Sequence, residues 1–328
     1  MPTPRGLWPA ILSAMLLLLA IACSTDSATS DDAEVEEETG IMDIRTDPED
    51  PPEGGLQIIT PEFVIEPYGD KMYCYFGTYD GPDEGVNFYQ WFQDTEFGHH
   101  MMFFDASNEP NQADGDLVDC SDPNDTMDMR PLLSGNELLG EASGRMVLSD
   151  GLAIKLKSGQ RYAIQSHYLN STGRELLVRD AVNLGFIDVD DVENWVGAWS
   201  FNTTLFSLPP GEASELAFSC SWPQSVNILS MMGHMHSWGT SIRVTHEHDG
   251  DSNEIYSLPE WDPTWQNQPR LKIFADGELA PEIGDTFSVT CDFLNTTDES
   301  LEFPAEMCVS AGLAWPVDAP IQCDAGRR

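Results

Sequence analysis

Tyr162-Ala163-Ile164-Gln165-Ser166-His167-Tyr168 is the stretch on which the reading of the fold turns. Its aromatic, aliphatic and small polar residues follow no helical spacing, so it reads as a strand with mixed faces. Runs of the same kind recur on either side: Leu56 to Ile65, Met72 to Phe76, His100 to Phe104, Ala153 to Leu156, Val226 to Met232, Ser241 to Thr245 and Thr286 to Phe293. Gly, Pro, Asn and Asp separate them at short intervals. Helical periodicity sustained over about ten residues is scarce. The chain is therefore expected to be all-β, built of sandwiches or jelly rolls.

The folded part spans roughly 270 residues, more than one domain usually holds, so two consecutive β domains are expected. Ser207-Leu208-Pro209-Pro210-Gly211 supplies the punctuation of a boundary and divides them into 56–206 and 207–328. Residues 1–22 read as an export signal, with Arg5 in a basic start and an apolar run from Ile11 to Ala22 broken only by Ser13. That run is shorter than the roughly 20 apolar residues a membrane span needs. Ala20-Ile21-Ala22-Cys23 resembles a bacterial lipobox. Cleavage before Cys23 and lipidation of its thiol would anchor the protein to the cell envelope without crossing a membrane, and the resemblance to other lipoproteins implies, through Ser24, the outer membrane or cell surface. The segment 23–55 is rich in Ser, Thr, Asp and Glu, and Val35, Ile41, Met42 and Ile44 are its larger apolar groups. It is expected to be a disordered, self-repelling acidic tether.

Lys and Arg total 15 against 56 Asp and Glu, a formal charge of -41. Nucleic acid is excluded as a partner, because binding it requires a basic footprint. With Cys23 assigned to lipid, Cys74, Cys120, Cys220, Cys291, Cys308 and Cys323 remain, an even set suited to disulfides in an exported protein. None of them has Cys-x-x-Cys spacing, so they read as structural; spacing alone leaves their connectivity open.

Of the seven histidines, His99, His100, His167, His234 and His236 fall in three compact places. Met231-Met232-Gly233-His234-Met235-His236 ends an apolar strand, and side chains two apart on a strand share a face, so His234 and His236 can hold one metal. In Gly98-His99-His100-Met101-Met102-Phe103-Phe104 the two imidazoles are adjacent and should face opposite ways. They reach one ion only at a strand end or a bulge, a departure Gly98 would permit. A lone histidine such as His167 is ordinarily a satisfied core residue. Met101, Met102, Met231 and Met232 are best read as core fillers. Met307, in Pro304-Ala305-Glu306-Met307-Cys308, matters in company: a thioether is a soft ligand that selects copper(I), and imidazole also suits copper. His246 and His248 run directly into Asp249-Gly250-Asp251 and read as an exposed hairpin end.

His-His-Met, then Gln-Ser-His-Tyr, then His-Met-His followed by Ser-Trp-Gly, then Glu-Met-Cys appear in the order found in copper type II, ascorbate-dependent monooxygenases, the peptidylglycine- and dopamine-hydroxylating family. The resemblance runs from about Ile58 to Cys323, essentially all of the folded chain. It implies two jelly-roll domains with one copper each. His99, His100 and His167 would bind the electron-transfer copper; His234, His236 and Met307 would bind the oxygen-activating copper and make up the catalytic site. It further implies O2 and a one-electron donor such as ascorbate as co-substrates, hydroxylation of an aliphatic carbon of a small molecule, and disulfides Cys74–Cys120, Cys220–Cys323 and Cys291–Cys308. Two positions depart from the pattern. Amidating members carry an arginine two residues before the His-x-His pair and a tyrosine four after the methionine, where this chain has Met232 and Ala311. A less anionic substrate than a peptide carboxylate is expected. The same ligands would also serve a non-catalytic copper-binding or copper-delivery lipoprotein, and a β-sandwich adhesion or scaffold module would need none of them.

Overall fold

Along Thr286–Leu294 buried and half-buried residues alternate almost from end to end, and in Ala213–Ser221 exposed and half-buried ones do so. That is the signature of a sheet with one face toward water. Arg161–Leu169 differs, since every residue from Tyr162 to Tyr168 is buried; both faces of its sheet are covered. The computed structural model describes residues 40–109, 111–122, 129–135, 144–266 and 269–326. Strands dominate them, and the helical elements among the described residues are 3-10 turns at Val189–Asp191 and Pro263–Gln266. The chain is all-β, a jelly-roll-like arrangement of stacked sheets.

A five-stranded antiparallel sheet runs Leu117–Asp119, Asp70–Thr78, Arg161–Leu169, Gly98–Asp105, Arg130–Gly135. A four-stranded one runs Ala213–Ser221, Thr286–Leu294, Gly239–His248, Asp251–Leu258. A ten-stranded sheet holds Glu84–Phe92, Leu152–Leu156 and Ala181–Ile187 in one half, and Asn194–Asn202, Asn227–His234 and Val309–Trp315 in the other. The halves meet where Leu152–Leu156 pairs in parallel with Asn194–Asn202.

Two apolar cores result. Tyr89, Met101, Phe103, Ile154, Ile164 and Leu184 join the five-stranded sheet to the first half of the large sheet. Trp199, Phe201, Trp222, Met231, Val289 and Phe293 join the four-stranded sheet to the second half. Val196 belongs to the first core and Trp199 to the second, so the change-over falls inside a single strand. Met101 and Met231 are fully buried, as core fillers should be, whereas Met102 and Met232 are only half-buried.

The three disulfides pair as the resemblance implied. Cys74–Cys120 lies on the outer face of the five-stranded sheet with Phe76, Phe104 and Ala163. Cys220–Cys323 ties the four-stranded sheet to Ile321–Asp324, and Cys291–Cys308 closes a 17-residue separation just before Val309–Trp315.

Two expectations need correction. The tether does not extend to residue 55: Ile41–Asp43 pairs in parallel with Glu175–Val178, and the Ile44 and Thr46 amides donate to the Leu177 and Arg179 carbonyls. Met42 and Ile44 pack beside Phe63, Ile65 and Tyr168. Few apolar groups suffice where a ready-made sheet edge supplies the hydrogen bonds. Residues 1–39, which hold the expected signal, Cys23 and the rest of the tether, lie outside the described residues. The run from Leu56 to Ile65 is two strands, Leu56–Ile59 and Phe63–Ile65, in different sheets, parted at Pro61, which cannot donate to a ladder.

Candidate functional site

Pairing of Gly98–Asp105 with Arg161–Leu169 brings the first three histidines together. His167 lies opposite His100, but Tyr168 lies opposite Gly98, so His99 is the extra residue of a bulge. The bulge cancels the opposite facing of adjacent side chains. Ring centroids are 4.7 Å apart for His99 and His167, 4.8 Å for His100 and His167, and 5.8 Å for His99 and His100. One nitrogen from each ring falls within 4.8 Å of the others. Gly98 is required here: a Cβ would stand 2.2 Å from the Asp94 carbonyl oxygen, and the Gly98 amide donates to that oxygen. Gln93 spans the two strands beside the bulge, its Nε2 donating to the His100 and His167 carbonyls at 3.1 Å each.

Each of two rings is also oriented through its other nitrogen. His100 Nε2 is 3.2 Å from Gln165 Oε1, and His167 Nε2 is 2.7 Å from Asp70 Oδ1. With both Nε2–H groups donated to oxygen, the two Nδ1 atoms face each other 3.3 Å apart, each with a lone pair. Facing lone pairs repel unless a cation or a proton lies between them, and carboxylate-oriented imidazoles are the usual surroundings of a bound metal. Burial, then the neighbouring His167, pushes His99 down to about 4. Burial also lowers His167, against the opposing pull of Asp70. The His99 and His167 imidazoles are thereby pushed toward the neutral form, the state in which an imidazole ligates.

The second cluster sits where Asn227–His234 ends. His234 and His236 bracket the fully buried Met235, and their ring centroids are 5.1 Å apart, nearly perpendicular. His234 is pushed down to about 3, by burial first and then by His236. His236 Nδ1 lies 3.1 Å from the Ala305 carbonyl, which leaves Nε2 free to ligate. Register brings the segment that carries Met307 to this strand: His234 is opposite Val309, two residues beyond Met307. Met307 is half-buried, and its neighbour Cys308 is anchored by the disulfide to Cys291. Glu306, with no exposed surface, organises the corner by accepting the backbone N–H groups of His236, Trp238 and Met307. Burial raises its carboxyl from the usual carboxylate range.

The structure thus gathers His99, His100 and His167 at one point and His234 and His236 at another, with Met307 on the segment next to the second. The sequence reading did not find Asp70, Gln93, Gln165 or Glu306 as positioning residues. Asp70 is 97 residues from His167 in the chain, and no local signal joins them. Glu306 did carry one, a carboxylate directly before Met307.

Met232 and Ala311, the two positions that depart from the amidating pattern, are cross-strand partners. They form an adjacent half-buried apolar pair two residues from His234.

Comparison of the sequence with protein-family models and with curated proteins gave no match. Among solved structures, similarity extends to the infectious bursal disease virus VP2 subviral particle at 11% identity, over 83% of this chain and 74% of that one, with a TM-score of 0.21. The Gx strain of the same virus matches at 8% identity, over 80% and 72%, with a TM-score of 0.19. Such low scores carry no argument about this chain.

Proposed function

We propose that this chain is a copper-dependent monooxygenase that hydroxylates an aliphatic C–H bond of a small molecule, using O2 and a one-electron donor such as ascorbate. The observation that carries the reading is the pair of facing Nδ1 atoms of His100 and His167, 3.3 Å apart, each on a ring whose other nitrogen is engaged by an oxygen. His99, His100 and His167 would hold one copper, and His234, His236 and Met307 a second. When bound, copper supplies one-electron redox chemistry and activation of dioxygen. The donor sets differ as such a division of labour requires: three imidazoles tolerate both oxidation states, whereas a thioether favours the reduced ion.

The chain's own residues set the conditions. Asp70 and Gln165 fix ring orientation and keep Nδ1 the ligating atom. Glu306 joins the His236 backbone to that of Met307, so that the donors of the second cluster move as one body. Met232 and Ala311 offer an apolar surface beside His234, which favours a neutral or apolar substrate over a carboxylate. The three disulfides accord with the proposed export to an oxidising compartment; lipid anchoring at Cys23 is proposed from the lipobox-like sequence alone.

Copper stoichiometry tests the proposal. The wild-type chain should retain two coppers after loading and desalting, and His167→Ala and Met307→Ala should each lose about one. Ascorbate-driven oxygen uptake should then rise with a suitable substrate. One copper or none sinks the reading. Two coppers with no oxygen uptake across a broad substrate panel would leave a copper-storing or copper-delivering lipoprotein.

A further inference from the structure

His246 and His248 lie two apart on Gly239–His248 and so share a face of the four-stranded sheet. Register puts His246 opposite Phe287 and Glu247 opposite Thr286, which brings Asp285, the residue before that strand, across from His248. The hairpin end expected from Asp249-Gly250 is present, with both residues at positive φ. What the sequence did not show is the carboxylate between the rings. Asp285 Oδ2 lies 2.7 Å from His246 Nε2, and Oδ1 lies 2.8 Å from His248 Nδ1. The Asp285 side chain is only 9% exposed, His246 15% and His248 44%.

We propose that His246, His248 and Asp285 form a further metal site, which takes a divalent cation of the zinc(II) type. Three arguments carry it. The donors are two imidazole nitrogens and a carboxylate oxygen with no sulfur, a set suited to zinc(II) and not to copper(I). The donor atoms lie within 4.8 Å of one another. Tetrahedral ligands about 2.0–2.1 Å from zinc stand roughly 3.3 Å apart, so the present contacts need open by only about half an ångström. The side occupied by the half-exposed His248 leaves a fourth position for water.

The surroundings favour a cation. Asp249 Oδ2 lies 3.6 Å from His248 Nε2, a second carboxylate beside the rings. The Glu282 amide donates to Asp285 Oδ2, and the His246 ring stands edge-on to Phe287 with centroids 5.3 Å apart, so both donors are braced before any metal arrives. Bound there, zinc would fasten the Asp249-Gly250 hairpin tip to the start of the Thr286–Leu294 strand. None of these donors belongs to the clusters assigned to copper, so the site stands or falls independently of that assignment.

The test is zinc binding to the full chain with copper already loaded, comparing wild type with the double variant His246→Gln, His248→Gln and with Asp285→Asn. Wild type should bind one zinc that the double variant lacks, and Asp285→Asn should weaken it at least tenfold. Equal zinc content in wild type and double variant would overturn the proposal. Anomalous diffraction at the zinc edge on wild-type crystals needs no variant to fold. A peak between the three side chains supports the site, and zinc found only elsewhere overturns it.

Discussion

The two histidine clusters assigned to copper are built by opposite means. His99, His100 and His167 come from two strands that meet only through long-range pairing, and their rings are aimed by side chains, Asp70 and Gln165. His234 and His236 come from one short stretch, and their corner is set through the backbone by Glu306 and by a disulfide that holds the neighbouring segment. A site aimed by side chains should lose affinity when a partner is cut and keep its fold. A site set through the backbone should lose both together.

The sharpest way to break this contrast is to open the second corner covalently. Replacing Cys291 and Cys308 by serine removes a closure of 17 residues and should cost about 3 kcal/mol in chemical denaturation. Copper should weaken at the His234 cluster first; equal loss at both clusters would erase the distinction. Next comes Gly98→Ala, which drives a Cβ into the Asp94 carbonyl and the Gln93 side chain. Overpacking against backbone should cost about 2–3 kcal/mol and abolish copper at the His99 cluster alone, read by thermal unfolding and metal content. Glu306→Gln places an amide N–H among three backbone donors and should cost about 2 kcal/mol, with copper lost only at the His234 cluster. Unchanged stability would show that the backbone clamp is dispensable. The mildest change is Asp70→Asn. Its side chain is 70% exposed, so stability should move by less than about 0.5 kcal/mol. Copper affinity at the first cluster should fall roughly tenfold, the low end for a residue that orients a ligand. A loss well beyond a hundredfold would mean that Asp70 does more than orient.

Only some strands were legible in the sequence: Glu84–Phe92, Ala181–Ile187, Asn194–Asn202 and Ala213–Ser221 were not read as strands at all. Thr286 to Phe293 and Tyr162 to Tyr168 were placed within a residue or two, because apolar, β-branched and aromatic runs between turn residues have few alternatives. The run from Leu56 to Ile65 hid its break, since Pro61 interrupts hydrogen bonding without interrupting apolar character. Residues 41–46 were misread as tether because their pairing depends on an exposed edge more than a hundred residues away. The requirement for a bulge at His99-His100 followed from strand geometry alone. Its cause, the contact of Gly98 with Asp94, did not.

By itself the sequence determined the all-β character of the chain, which residue types could ligate metal, and the ordered pattern by which the copper reading was reached, since these depend on local composition and spacing. Tertiary structure alone decided which nitrogens face each other, that Asp70, Gln165 and Glu306 position the donors, and that Asp285 stands between His246 and His248. Each of these rests on strand register between distant segments, and one residue of slip would turn every side chain to the other face.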